Sequence, residues 1–97
     1  MKSEFDYQEY IDSLSYVKRS KNRIAVVKNI GNTLKIPSEI ANKMNLRVNQ
    51  ISAILKDLKN EKICECINEE KTVVRLYQLT PKGHEVYKFL KEMEKEH

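Results

Sequence analysis

The sequence predicts a mainly α fold with one small β-hairpin, and three observations carry that expectation. Only two Gly and two Pro punctuate the 97 residues, so turns should be few and helices should dominate. Apolar residues recur near the helical period up to about residue 60, then alternate with a period of two between about residues 63 and 79. The helical period returns after Thr80-Pro81, a cap followed by a first-turn proline. With 40% apolar residues and a mass of 11.4 kDa, the chain suits one domain over residues 1–97 with one compact core.

Each element has a local reason. Phe5, Ile11 and Leu14, with Tyr7 and Tyr10 beside them, predict an N-terminal amphipathic helix over residues 4–16. Ser20 is a suitable cap for a second helix bearing Ile24, Val27 and Ile30, and Gly31-Asn32 is its stop. Pro37 fits the first position of a short third helix ending at Met44, with Ile40, Ala41 and Met44 inward. A tight turn at Asn45-Leu46 leads to a fourth helix, about residues 47–60, striped by Val48, Ile51, Leu55 and Leu58. Residues 63–67 read as a strand, 68–72 as a polar turn, and 73–79 as a returning strand with Arg75, Tyr77 and Leu79 on one face. A C-terminal helix over residues 81–95 carries Val86, Tyr87, Leu90 and Met93.

Composition excludes several classes. Charged residues make up 33% of the chain with both signs present, unlike a disordered polyelectrolyte. No apolar run reaches the ~18 residues of a membrane span, and the charged start MKSEFDYQEY lacks the apolar centre of a signal peptide. Two cysteines cannot staple a secreted scaffold, so a reducing cytoplasmic location and no membrane partner are expected. The net charge of +4 is unevenly spread: residues 1–16 carry −3, 17–62 carry +8, 63–80 carry −1 and 81–97 carry none. A basic middle segment is what a polyanion-binding face requires, although a solvated Lys-rich surface has the same composition.

The third and fourth helices form a helix-turn-helix pattern, in which the second helix can enter the DNA major groove start-first. That helix opens with Arg47, Asn49 and Gln50. Arginine pairs two donors with guanine, and Asn or Gln matches adenine with a donor and an acceptor. Ala53 is small enough to approach a base or meet a thymine methyl. Ser38, Ser52 and Lys56, with Lys71 and Arg75 on the hairpin, are phosphate candidates; Lys18, Arg19, Lys21 and Arg23 could flank them. An ordinary solvated helix face would present the same side chains. A helix-turn-helix followed by a two-stranded ribbon is the winged-helix arrangement, here with additional N-terminal and C-terminal helices.

The stretch IPSEIANKMNLRVNQISAILKDLKNEKICECI, followed by VRLYQLTPKGHEV, resembles the winged helix-turn-helix of prokaryotic MarR/ArsR-type transcription regulators, and small archaeal members most of all. The likeness spans about residues 20–90; its markers are Ser38-Glu39-Ile40-Ala41, Ile51-Ser52, Leu55-Lys56-Asp57-Leu58 and Leu79-Thr80-Pro81-Lys82-Gly83. It implies base contacts from Arg47, Asn49, Gln50 and Ala53, and backbone or minor-groove contacts from Lys71 and Arg75. It implies double-stranded DNA as partner and transcriptional regulation as role. Phe5, Tyr7, Tyr10, Ile11 and Leu14, with a second stripe of Tyr87, Leu90 and Met93, offer more apolar surface than one small core needs, so a homodimer through the terminal helices is expected; completion of a monomer core is the alternative. Three departures stand out. Lys62 replaces the usual turn Gly, so Asn60 is expected to take the left-handed conformation there. Ile36 replaces the usual Ser or Thr cap. The hairpin turn carries two acids, Glu69 and Glu70, which weakens it as a phosphate binder.

Some regulators of this kind sense metal or redox state through cysteines, and Cys64 and Cys66 share one side of a strand. One C-x-C with scattered His84 and His97 is a poor zinc set, so small buried strand residues are expected, with no metal and no cofactor; no effector is legible. No phosphate loop, nucleophile set or carboxylate pair appears, so no enzymatic activity is expected. Glu85, Glu92, Glu94 and Glu96 among Lys88, Lys91 and Lys95 read as surface ion pairing. Two alternatives share this fold class, a protein-interaction module of a transcription assembly and an RNA binder using the same basic face.

Overall fold

The computed structural model describes residues 6–95, so Phe5, Glu96 and His97 lie outside the described residues. Helices α1 (Tyr7–Lys18), α2 (Lys21–Ile30), α3 (Pro37–Met44) and α4 (Val48–Asn60) precede strands β1 (Cys64–Cys66) and β2 (Tyr77–Leu79), and α5 (Pro81–Lys95) closes the order. One apolar cluster joins them: Leu14 and Val17 from α1; Val26, Val27 and Ile30 from α2; Ile40 and Ala41 from α3; Ile51, Leu55 and Leu58 from α4; Ile63, Cys64, Cys66, Tyr77 and Leu79 around the hairpin; Val86 and Leu90 from α5.

Three helix starts follow the side-chain rule that an oxygen before the helix accepts an orphan N–H. Asp6 Oδ1 accepts from Glu9 N at 3.1 Å, Ser20 Oγ from Arg23 N at 3.2 Å, and Thr80 Oγ1 from Gly83 N at 3.0 Å. Ile36 has no such oxygen. There the reciprocal bond stands alone, with Ile36 N donating to Glu39 Oε1 at 3.0 Å. The N-terminal helix runs on past residue 16 to Lys18, because Val17 is fully buried beneath α1.

Helices α3 and α4 end alike. Leu46 N donates to Ala41 O and Asn45 N to Asn42 O; Ile63 N donates to Leu58 O and Lys62 N to Lys59 O. Each pair is the Schellman pattern, which needs one left-handed residue after the helix. Those residues are Asn45, with φ 58°, and Lys62, with φ 61°. The expectation that Asn60 would turn this corner is therefore corrected: Asn60 stays helical, and the hydrogen bonds place the turn on Lys62 itself.

The hairpin is shorter than expected. Its antiparallel register pairs Cys64 with Leu79, Glu65 with Gln78 and Cys66 with Tyr77. Tyr77 also exchanges two backbone bonds with Lys35, of 2.8 and 3.0 Å, which ties β2 to the segment before α3. The returning strand does not begin at residue 73. Asn68 intervenes: its Oδ1 accepts from Leu76 N at 2.8 Å and its Nδ2 donates to Val74 O at 3.1 Å. One side chain thereby takes the backbone groups that a longer ladder would have used, and Val73 and Val74 remain exposed. Arg75 thus does not join Tyr77 and Leu79 on a strand face; only the latter two are buried.

Helix α5 comes very close to the hairpin start at Gly83. A Cβ there would lie 2.0 Å from Ile63 O, so only glycine fits. Lys82 reaches Glu9 at 3.5 Å, and the Lys18 ammonium sits 5.4 Å from the Phe89 ring. These contacts set α1 and α5 side by side, pointing the same way.

Candidate nucleic-acid interface

The buried stripe of α4 is Ile51, Leu55 and Leu58, and this decides which residues face away from the core. Asn49, Gln50, Ser52, Ala53 and Lys56 fall on the exposed side, with Arg47 exposed at the N-cap. Arg47, Asn49, Gln50 and Ala53 together line one shallow depression, so the four base-edge candidates are brought together. Val48 does not join the core stripe as expected. It stands at the first helical position and is 48% exposed.

The electrostatics at this helix start are unusual for a stabilising arrangement. A helix N-terminus carries partial positive charge and favours acids nearby. Here the first turn of α4 holds no acid, and the cap is an arginine. Arg47 N donates to Gln50 Oε1 at 3.1 Å, so the N-terminus is capped by a neutral amide instead. Backbone dipole and guanidinium add up to a site that favours an anion or an electron-rich base edge.

A larger cleft of about 650 Å³ opens between α4, the start of α3 and the loop joining β1 to β2. Ser38, Ser52, Lys56 and Arg75 line it, so four of the five phosphate candidates converge. Lys71 is exposed on the loop but does not line the cleft. Its backbone serves instead, accepting from Arg75 Nε at 2.7 Å. Eight further lining residues carry no contact expectation in the sequence: Ile36, Pro37 and Tyr77, and with them Val48, Lys59, Thr72, Val73 and Val74. Val48 and the valine pair were assigned to core and strand by their apolar character, which concealed them. Lys59 had a legible signal in its position one turn beyond Lys56.

The acids of the loop are partly neutralised. Glu69 pairs with Lys59 at 2.6 Å. That hydrogen bond and charge hold the Glu69 carboxyl below its ordinary range and raise the Lys59 ammonium above its own. The pair joins the loop to the last turn of α4, and Glu70 remains exposed beside it.

The basic residues around the start of α2 divide. Arg23 stacks 3.8 Å over the Tyr16 ring and donates to Tyr16 O at 2.8 Å, which is a bracing role between α1 and α2. Arg19 and Lys21 are exposed, and neither lines the cleft. Cys64 and Cys66 are both buried free thiols, with Cys64 Sγ 3.7 Å from Leu55 O. Burial pushes the Cys64 thiol up to about 12. Among the described residues no three His, Cys, Asp or Glu side chains group to hold a metal ion. Nor is any described helix long and apolar enough to cross a membrane. Two of the acidic residues expected to pair on α5 do so: Glu85 with Lys88 at 3.7 Å, and Glu94 with Lys91 at 3.7 Å and with Lys28 of α2. Glu96 lies outside the described residues.

No protein-family model matches the sequence, and no curated protein matches it. Solved structures do match the architecture. Reduced HlyU from Vibrio cholerae superposes with a TM-score of 0.73 at 13% identity, covering 94% of this chain and 92% of that one. A variant of ZitR from Lactococcus lactis in apo form gives 0.71 at 17% identity, covering 95% and 75%. The fold is a winged helix. A third match, at 0.68 and 14% identity over 97% and 87% of the two chains, is the homodimeric winged helix-turn-helix DNA-binding domain of Mb0332 from Mycobacterium bovis, a possible ArsR-family transcriptional regulator. In this winged helix α3 and α4 are the helix-turn-helix pair, and the loop between β1 and β2 is the wing.

Proposed function

We propose that the protein binds double-stranded DNA sequence-specifically and regulates transcription, with α4 as the recognition helix in the major groove and the wing at the backbone or minor groove. The observation that carries this reading is the exposed start of α4, where Arg47, Asn49, Gln50 and Ala53 share one depression beside a cleft holding Lys56 and Arg75. Side chains able to read bases thus share α4 with side chains able to hold phosphates, the two kinds of contact that such an interface needs.

The test separates reading from attraction. Arg47→Ala should cost about 1–3 kcal/mol on a selected duplex and narrow its advantage over random DNA. Lys56→Ala should weaken both duplexes alike and lower the salt slope by roughly one unit. An equal small loss on both duplexes from either change would reduce α4 to a charged surface. A protein-interaction module is the second reading, and Val48, Val73 and Val74 favour it, because exposed valines at this place are what a protein partner would cover.

A further inference from the structure

Three exposed valines stand on the face otherwise suited to a polyanion: Val48 at 48%, Val73 at 71% and Val74 at 63% exposure. All line the cleft, among the hydroxyls of Ser38 and Ser52 and the charges of Lys56 and Arg75. A bare phosphate makes no use of the methyl groups, and a purely apolar ligand makes none of the cations. A sugar–phosphate strand uses both, since anionic oxygens alternate along it with the C–H faces of deoxyribose.

The wing is also built to hold its valines outward. Val74 has φ 55°, a left-handed conformation that a β-branched residue rarely adopts. The Asn68 amide fixes it there through Val74 O and Leu76 N, and Arg75 Nε on Lys71 O closes the loop from the other side. Strain kept by a dedicated clamp, with apolar side chains left in solvent, marks a contact surface.

Resting on the DNA-binding reading, we propose that this cleft grips one DNA strand where it divides the major from the minor groove. Val73 and Val74 lie against deoxyribose on the minor-groove side, Val48 lies against the strand on the major-groove side, and Lys56 and Arg75 hold the phosphates between. Asn68 is a positioning residue for the wing valines. Burying C–H surface displaces no counterions, so the valines supply a part of the affinity that salt does not weaken.

The experiment measures binding of a fluorescein-labelled mixed-sequence DNA duplex over a salt series, with hydroxyl-radical footprints on a duplex enriched from a random pool. The combined change Val73→Ser and Val74→Ser should weaken binding about ten-fold at every salt concentration, leaving the slope unchanged. It should also remove deoxyribose protection at the minor-groove edge of the footprint. Asn68→Ala should remove the same protection and also lower the slope, because Arg75 lies between the two residues it clamps, while Lys56→Ala changes the slope and keeps that protection. Wild-type protein that binds the duplex, with a double variant that binds and protects identically, overturns the strand-grip proposal and leaves the valines to a protein partner. Wild-type protein that binds no duplex at any salt concentration overturns the DNA-binding reading itself.

Discussion

Gln50 is asked to do two things with one amide. In the free protein its Oε1 caps α4 by accepting from Arg47 N, whereas reading adenine needs the oxygen and the Nε2 donor together. Gln50→Glu separates the tasks, because a carboxylate keeps the cap and offers no donor. The expected outcome is an unfolding free energy, from urea titration, changed by no more than about 0.5 kcal/mol, the range of a surface change. Base preference should move from adenine toward cytosine, whose N4 a carboxylate can accept from; repeating the duplex selection with the variant checks this. Gly83 is the opposite kind of residue, fixed by space alone. Gly83→Ala puts a methyl into Ile63 O and should destabilise the fold by at least about 1–3 kcal/mol in urea titration. Cys64 titrates from an ordinary 9.0 to about 12 on burial. The folded state therefore holds this proton more tightly than the unfolded chain does. Its contribution is complete below pH 9.0 and is lost as pH rises toward 12, so the stability difference between wild type and Cys64→Ala should shrink over that window. At this scale the sequence was readable where period decides direction. Ile51 and Leu55 inward necessarily put Asn49, Gln50 and Ala53 outward. The Gln50 cap was not readable, because an amide three residues into a helix has two equally good uses.

Among the elements, those with strong local codes arrived nearly as expected. Ser20, Gly31, Pro37 and Thr80 each fix a helix end by a bond or a φ value available within one turn, and α2, α3 and α5 keep the expected limits. The hairpin did not, because its limit depends on Asn68 meeting residues 74 and 76 across the loop. Val73 and Val74 have high strand propensity, and propensity lost to that clamp. The α4–β1 corner was misplaced for a related reason. Asn tolerates a left-handed conformation better than Lys, but the Schellman bonds fix the position and Lys62 is what occupies it. Lys62→Gly should therefore raise stability by about 1 kcal/mol, seen as a higher urea midpoint with an unchanged slope. No change would mean that the lysine pays nothing for φ 61°.

For the whole molecule, the open matter is how one small basic face attains specificity. Half-sites about 34–36 Å apart suit a symmetric dimer, and the terminal helices are the surface proposed for it. Much of the stripe assigned to that interface serves the monomer instead: Leu14 and Leu90 are core residues, and Tyr10 and Tyr87 pack against the core. Tyr7 and Met93 are left exposed, toward opposite ends of the aligned α1 and α5. Light scattering at tens of micromolar protein should nevertheless give twice the 11.4 kDa chain mass, and a monomer would remove the dimer from the account. The central claim, that α4 reads sequence, is tested most directly by selecting from a random duplex pool and comparing the enriched duplex with an unselected one. The account predicts a defined motif, bound at least about 10³-fold tighter than the unselected duplex at physiological salt. A pool that shows no enrichment, or equal affinity for both duplexes, would contradict it.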